Sequence, residues 1–100
     1  MKSVIAGRLV EWDDRKNEIN KQKHGISFEL AALVFTDEER IEYLDTIHSV
    51  EEERYIVLGR VGKVLFVVYT DRGDASRLIS ARLATPRERR VYDGDETDLD

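Results

Sequence analysis

The sequence predicts one small α+β domain in which helices pack on an antiparallel β-sheet. Three runs of apolar and β-branched residues follow residue 53 and are separated only by short turns, as expected for consecutive antiparallel strands. Two stretches before residue 36 carry helix-capping residues instead. The chain has 100 residues, of which 41% are hydrophobic, so it can bury one core and is too short for two.

The N-terminal half is predicted to hold one strand and two helices. Residues 7–12 form the strand, and the polar residues 14–24 form a helix that ends at Gly25, a favoured residue just after a helix C-terminus. Ser27 is the expected N-cap of a second helix, whose apolar residues recur at helical spacing. This second helix is expected to cover the core.

The C-terminal half predicts four strands and a last helix. The strands are expected at residues 40–45, 54–60, 63–70 and 76–83. Thr85 can cap the following helix, Pro86 suits its first position, and Glu88 can return a hydrogen bond to the cap. Residues 86–92 are therefore predicted as a helix, and the predicted order is β-α-α-β-β-β-β-α.

The net charge of −5 hides an uneven distribution of charged residues. Between residues 36 and 53, eight acidic residues stand against one arginine, whereas between residues 59 and 92 eight lysines and arginines stand against three acidic residues. The basic segment can therefore take an anionic ligand although the whole chain is acidic. We divide the chain into a domain at 1–92 and an acidic tail at 93–100, which is expected to be a solvated end.

The composition excludes several kinds of site. The chain has no cysteine, which excludes disulfides, thiolate metal sites and a cysteine nucleophile. His24 and His48 are far apart in the sequence, so we expect neither a metal site nor a cofactor. No apolar stretch approaches the roughly 20 residues that span a bilayer, so we expect a cytoplasmic protein without a membrane segment.

Arginines stand within or just after the apolar strands of the basic segment. Strict alternation places Leu78, Ser80 and Arg82 on one face of the last strand and Arg77 on the other, while Arg72 extends an apolar row of the preceding strand. One interpretation is that these arginines pair with surface glutamates. The other is a phosphate site, because a guanidinium group matches phosphate oxygens and keeps its charge.

His24 is the candidate for proton transfer, because histidine is the side chain that most readily changes charge near neutral pH. Its place at the end of a predicted helix also fits a charge that complements the helix dipole. His48 lies in an acidic loop without comparable context, so it is not selected as a site residue.

Three segments together resemble the BrnT family of type II toxin ribonucleases. They are EWDDRKNEINKQKHGISFELAALVF, EEERYIVLGR and LFVVYTDRGDASRLISARLATPRERRVY. The resemblance covers roughly residues 9–92. Its landmarks are Trp12-Asp13, Lys16, Asn20, Lys23-His24-Gly25, Phe28, Ala31, Arg54, Gly59, Arg72, Arg77, Ser80-Ala81-Arg82, Ala84, Glu88-Arg89 and Tyr92.

The resemblance implies a RelE-like fold and an endoribonuclease that cleaves RNA and inhibits translation. Cleavage without a metal needs a base, an acid, and cations that stabilise the charged phosphorus centre. The expected catalytic residues are His24 for proton transfer, Arg72 and Arg82 for the phosphate charge, and Lys23 or Glu53 in support. The expected RNA-binding residues are Arg77, Arg87, Arg89 and Tyr92.

The resemblance also implies a protein partner. The expected partner is a BrnA-like antitoxin, which would neutralise the toxin by forming a hetero-oligomer with it. The hetero-oligomer would bind operator DNA through the antitoxin. Two other classes fit the residues: a non-catalytic RNA-binding or regulatory module, and a structural domain whose acidic segment meets a basic partner. Loss of His24 should abolish cleavage by an enzyme but barely weaken a pure binder, which separates the first class from an enzyme.

Overall fold

Six strands form a single sheet in the computed structural model, which describes residues 1–95. The strands are β1 Lys2–Ile5, β2 Arg8–Glu11, β3 Ile41–Leu44, β4 Arg54–Val61, β5 Lys63–Arg72 and β6 Ala75–Leu83. The helices are α1 Asp14–His24, α2 Phe28–Ala31 and α3 Pro86–Tyr92, and a 3₁₀ helix at Ala32–Thr36 continues α2. Most of the predicted tail at 93–100 lies outside the described residues.

The strand order across the sheet is β1-β2-β6-β5-β4-β3. Every neighbouring pair is antiparallel except β2 and β6, which run parallel where Val10 pairs with Ser76. The predicted α+β class is confirmed, but the predicted antiparallel sheet is mixed, since β2 and β6 are paired in parallel. β1 was not predicted from the sequence; it is a half-exposed strand that, within residues 1–95, pairs with β2 alone.

Local capping signals place the helix ends where the sequence predicts them. The Ser27 side chain accepts a hydrogen bond from the backbone of Leu30, and Gly25 ends α1 at a φ of 72°. Thr85 and Glu88 form the predicted capping box at the start of α3. The second helix differs from the prediction, since only its first turn is α-helical and the remainder is a 3₁₀ helix.

The core lies between one face of the sheet and the layer of α1, α2 and the 3₁₀ helix. Phe28, Val34, Val57 and Val67 are fully buried there. Gly59 of β4 lets the 3₁₀ helix come close, because a Cβ at this position would lie 2.7 Å from the Cβ of Val34. We call this the helix face of the sheet and the other side the opposite face.

A β-bulge in β6 corrects the predicted alternation of side chains. Tyr69 pairs with Leu78 and Val68 pairs with Ser80, so that β6 contains one extra residue between the two pairs. As a result, Leu78 and Ala81 both lie in the core. Arg82 then points to the opposite face, rather than sharing a face with Leu78 as strict alternation predicts.

Asn20 joins α1 to the free edge of β6. β2 pairs with β6 only at Ser76 and Arg77, so the later residues of β6 have no strand on that side. The Asn20 side-chain amide donates to the Ala81 carbonyl at 2.9 Å and accepts from the Ala81 N–H at 3.2 Å. It also donates to the Ile26 carbonyl at 2.8 Å, so one buried amide satisfies three backbone groups.

The Asn20→Ala substitution should therefore destabilise the fold strongly. It leaves buried backbone groups of Ile26 and Ala81 without partners, which should lower the free energy of unfolding by about 2 to 4 kcal/mol. Chemical denaturation followed by circular dichroism measures this. The control is Gln22→Ala on the exposed side of α1, where we expect a change within about 0.5 kcal/mol. An equal midpoint for Asn20→Ala and the wild type would contradict this role of the amide.

Candidate functional site

A histidine held by a carboxylate lies in the loop between β3 and β4. The Nδ1 atom of His48 is 2.9 Å from Oδ2 of Asp45, whose Oδ1 accepts the backbone N–H groups of Ile47 and His48. The Asp45 side chain is only 10% exposed, whereas that of His48 is 66% exposed. A ring that donates from Nδ1 to a carboxylate keeps Nε2 as an acceptor, and here the exposed ring leaves that atom accessible to solvent.

Hydrogen bonds close the loop at its base. Asp45 donates its backbone N–H to the carbonyl of Arg54 at 2.8 Å. The Ser49 hydroxyl donates to the Asp45 carbonyl at 2.5 Å and accepts the Arg54 N–H at 2.8 Å. These bonds hold His48 beside the first residues of β4.

The loop forms one wall of an open depression of about 630 Å³. It is lined by Ile47, His48, Val50, Glu51, Glu52, Arg54 and Arg72, and we call it the His48 depression. Arg54 pairs with Thr70 in the sheet, and Arg72 lies two residues further along β5 on the same face. The two arginines are therefore diagonal neighbours, within reach of one ligand.

Arg54 and Arg72 differ from most arginines of the sheet in their partners. Arg77 forms an ion pair with Glu11 at 2.6 Å, and Arg82 forms one with Glu88 at 2.7 Å. Within residues 1–95, neither Arg54 nor Arg72 has a carboxylate partner. Their positive charges are therefore available to an anion.

The His48 depression thus combines a proton acceptor with two available guanidinium groups. Imidazole can take a proton from a hydroxyl group and return it, and guanidinium groups stabilise negative charge that develops on a phosphate. Glu51 and Glu52 add carboxylates to the lining. Within the described part of the chain, no group of three histidine or acidic side chains is arranged to hold a metal ion.

Two of the predicted catalytic residues belong to this end of the sheet. Arg72 lines the depression, and Glu53 directly precedes Arg54. The Glu53 carboxylate accepts a hydrogen bond from the Tyr55 hydroxyl at 2.8 Å, and its backbone carbonyl accepts one from Thr70. Glu53 therefore anchors the end of the loop to β5 through its backbone.

The other predicted catalytic residues lie at the far end of β6. Two contacts show that α1 runs along β6, since Asp13 interacts electrostatically with Arg77 and Asn20 binds Ala81. Lys23 and His24, at the end of α1, therefore lie near the C-terminal end of β6. Arg82 pairs there with Phe66, six residues before Arg72 along β5, which is about 20 Å in a strand. The structure does not bring the five residues into one site, and their catalytic roles stay predictions.

Arg82 is engaged by the last helix. Its guanidinium group donates to both oxygens of Glu88, at 2.7 and 2.9 Å, and lies 3.9 Å from the centre of the Phe66 ring. Burial raises the pKa of Glu88, but the hydrogen bonds from Arg82 and from the Thr85 N–H outweigh it and hold the pKa below its usual value. This charged pair attaches α3 to the sheet.

Comparison with known proteins gives a clear family assignment. The model of the family described as "Ribonuclease toxin, BrnT, of type II toxin-antitoxin system" matches residues 12–88. The chain belongs to the BrnT family. None of the curated proteins matches it. The crystal structure of the Brucella abortus ribonuclease toxin BrnT is similar in fold, with a TM-score of 0.59 and 22% identity over 76% of this chain and 95% of that chain.

The BrnT match covers the His48 depression but not the first two strands. His48, Arg54 and Arg72 all lie within residues 12–88, whereas β1 and β2 precede the match. Among the described residues, none of the helices is both long and apolar enough to cross a membrane.

The predicted RNA-binding residues occupy different environments in this BrnT-family fold. Arg87 and Arg89 are exposed on α3, and Arg77 is paired with Glu11. The Tyr92 hydroxyl donates to Asp37 at 2.5 Å. Burial and this hydrogen bond raise the pKa of Tyr92, so the hydroxyl stays protonated at neutral pH. The role of these residues in RNA binding stays a prediction.

Sequence reasoning missed His48 as a site residue. The spacing Asp45-x-x-His48 is a local signal, since an acidic residue three positions before a histidine can bind its ring. That signal could have been read from the sequence. The lack of carboxylate partners for Arg54 within residues 1–95 could not have been predicted from the sequence, because it depends on which residues the sheet brings together.

The pKa of Glu88 predicts how stability depends on pH. A carboxylate whose folded-state pKa lies below its unfolded value of about 4.5 stabilises the fold above that pH, and this contribution is lost as the pH falls through the folded value. Glu88→Gln should therefore lose less free energy of unfolding than the wild type between about pH 7 and about pH 3. Urea denaturation across this range measures it.

The matched control is Glu38→Gln at an exposed position. It should keep the acid dependence of the wild type. If Glu88→Gln and Glu38→Gln lost the same free energy on acidification, the Arg82–Glu88 pair would not be a source of the pH dependence.

Proposed function

We propose that this protein is an endoribonuclease that needs no metal and that its reaction takes place in the His48 depression. Membership of a family of ribonuclease toxins supports RNA as the substrate. The observation that carries the proposal is the depression itself, which is lined by His48, held by Asp45, and by two arginines without carboxylate partners in the described residues.

The chemistry follows from these groups. His48 Nε2 takes the proton from a ribose 2′-hydroxyl, whose oxygen attacks the adjacent phosphorus. Arg54 and Arg72 stabilise the negative charge that builds on the phosphate oxygens. The bond from phosphorus to the 5′-oxygen breaks, and that oxygen takes a proton from solvent, which reaches this open site. The products are a 2′,3′-cyclic phosphate and a free 5′-hydroxyl.

The sequence-based assignment is the second candidate for the same reaction. In it, His24 transfers the proton, Lys23 or Glu53 supports it, and Arg82 joins Arg72 at the phosphate. The strand distance between Arg72 and Arg82 disfavours this set as a single site, since both would have to reach one phosphate. The two assignments differ in which histidine is needed.

His48→Ala should lower the rate of RNA cleavage by about 10² or more, and so should Arg72→Ala, because each removes transition-state stabilisation. His24→Ala should retain nearly full activity. Cleavage of a labelled RNA in the presence of EDTA, with detection of the cyclic phosphate, measures all of these. Arg15→Ala is the matched control for loss of charge, since Arg15 is exposed on α1.

Three results would contradict the position of the site, the absence of a metal requirement and the cleavage activity, respectively. Loss of cleavage in His24→Ala with normal cleavage in His48→Ala would move the reaction to the far end of β6. Loss of activity with chelator and its return with magnesium would overturn the metal-free mechanism. A folded wild-type protein that binds RNA without cutting it would be a non-catalytic module.

We further propose that the protein inhibits translation in the cytoplasm and is neutralised by a BrnA-like antitoxin. Its membership of a type II toxin-antitoxin family supports a protein antitoxin. The pair would form a hetero-oligomer that binds operator DNA through the antitoxin. The basic stretch at residues 72–90 is the surface where an acidic antitoxin segment would compete with RNA phosphates.

The antitoxin complex should accordingly bind RNA much more weakly than the free toxin. Filter binding of a labelled RNA to free toxin and to the purified complex measures this, and cleavage assays on the same samples give a second reading. A complex that cuts RNA as fast as the free toxin would show that the antitoxin does not block this surface.

A further inference from the structure

A second depression, of about 370 Å³, lies between the β4–β5 turn and the start of α3. Three of its lining residues are cations, namely Arg60, Lys63 and Arg89. Among the described residues that line it, none is acidic. We call it the basic pocket.

Two of the cations are held in place by neighbouring groups. Arg60 donates its backbone N–H to Asp37, and its guanidinium group lies 5.4 Å from the centre of the Tyr92 ring. Arg89 donates to the Ala84 carbonyl at 3.1 Å. Within the described residues, the guanidinium group of Arg60 lies 3.9 Å from the Asp93 carboxylate, and it also interacts electrostatically with Asp37. The lining of the pocket therefore carries three positive side chains, of which only Arg60 interacts with described carboxylates, those of Asp37 and Asp93.

The basic pocket also has an exposed apolar side chain in its lining. Leu83 is 49% exposed, whereas Val64, which also lines the pocket, is 3% exposed. Gly62 lies in the turn with a φ of 73° and no atom within 4 Å of the place where a Cβ would be, so the turn leaves this side open. Positive side chains beside an exposed apolar side chain suit a nucleotide, since its phosphate can meet the charges while its base contacts Leu83.

The basic pocket and the His48 depression lie at opposite ends of one strand. Lys63 begins β5 and Arg72 ends it, so nine residue steps separate them, which is about 30 Å. α3 packs on β4 and β5 and carries exposed Arg87 and Arg90. A single RNA strand carries one phosphate for each nucleotide. When one of its phosphates lies in the His48 depression, a phosphate several nucleotides away can reach the basic pocket.

We infer that the basic pocket binds a phosphate of the RNA substrate several nucleotides from the bond that is cut. This inference rests on the proposed function. RNA is favoured over an acidic protein segment because the chain belongs to a family of ribonuclease toxins and because exposed Leu83 beside the cations can contact a base next to the bound phosphate. The pocket contributes binding energy far from the reaction and therefore favours long substrates over short ones.

The experiment compares RNAs of about 4 and about 12 nucleotides, because only the longer one spans both sites. The RNAs carry 2′-methoxy groups, so they cannot be cleaved and binding is measured apart from catalysis. Lys63→Ala should weaken binding of the long RNA roughly threefold or more at low salt and lower the slope of log K against log salt by about 0.7. Binding of the short RNA should not change.

Lys2→Ala is the matched control, because it removes the same charge from exposed Lys2 of β1. It should affect neither RNA. A second variant, Arg89→Gln, tests another cation of the pocket and should reproduce the length-dependent loss. Thermal unfolding of each variant shows that the fold is kept.

Three results would overturn the inference. The first is that Lys63→Ala and Arg89→Gln leave the binding of the long RNA unchanged. The second is that they weaken the binding of both RNAs equally. The third is that they weaken only the binding of the antitoxin, which would make the pocket a protein-binding surface. Cleavage of native RNA by the wild type is measured separately. A wild type that cuts RNA while the variants bind the long RNA normally would refute the pocket and leave the proposed function intact.

Discussion

The side-chain amide of Asn20 is the interaction on which the architecture depends. β2 is too short to pair with the whole of β6, so the backbone of Ala81 faces α1 instead of a strand. An amide side chain has the same donor and acceptor as a peptide group, and Asn20 therefore takes the place of the missing strand. The same amide binds Ile26 and thus fixes the turn into α2. Asn20 thus attaches α1 to the part of the β6 edge that β2 leaves unpaired, while α3 packs on the opposite face.

Charge pairing separates arginines that build the fold from arginines available to a ligand. Arg8 bonds to Glu42 and lies 4.2 Å from the centre of the Phe35 ring, and Arg82 attaches α3 through Glu88. An acidic chain has enough carboxylates to neutralise such residues, so arginines without a carboxylate partner in residues 1–95 stand out. Arg54 and Arg72 are of this kind and lie beside His48. The acidic composition thus restricts the positive potential to a few places.

The two depressions at the ends of β5 differ in the chemistry that their lining residues suit. One end combines an oriented imidazole with guanidinium groups, which suits a reaction at phosphorus. The other end combines cations with apolar side chains, which suits binding without chemistry. β5, from Lys63 to Arg72, connects the two depressions. With this spacing, the affinity for RNA would depend on the length of the RNA rather than on its base sequence.

Features that depend on neighbours within a few residues could be predicted without the structure. Gly25, Ser27 and the Thr85–Glu88 capping box set helix boundaries because their bonds close within three or four positions. Three other features could not be predicted in this way: the parallel pairing of β2, the bulge that turns Arg82 away from the core, and the presence of His48 and Arg72 in the lining of one depression. These depend on register between distant strands, and register follows from which side chains fit the shared core rather than from any local pattern.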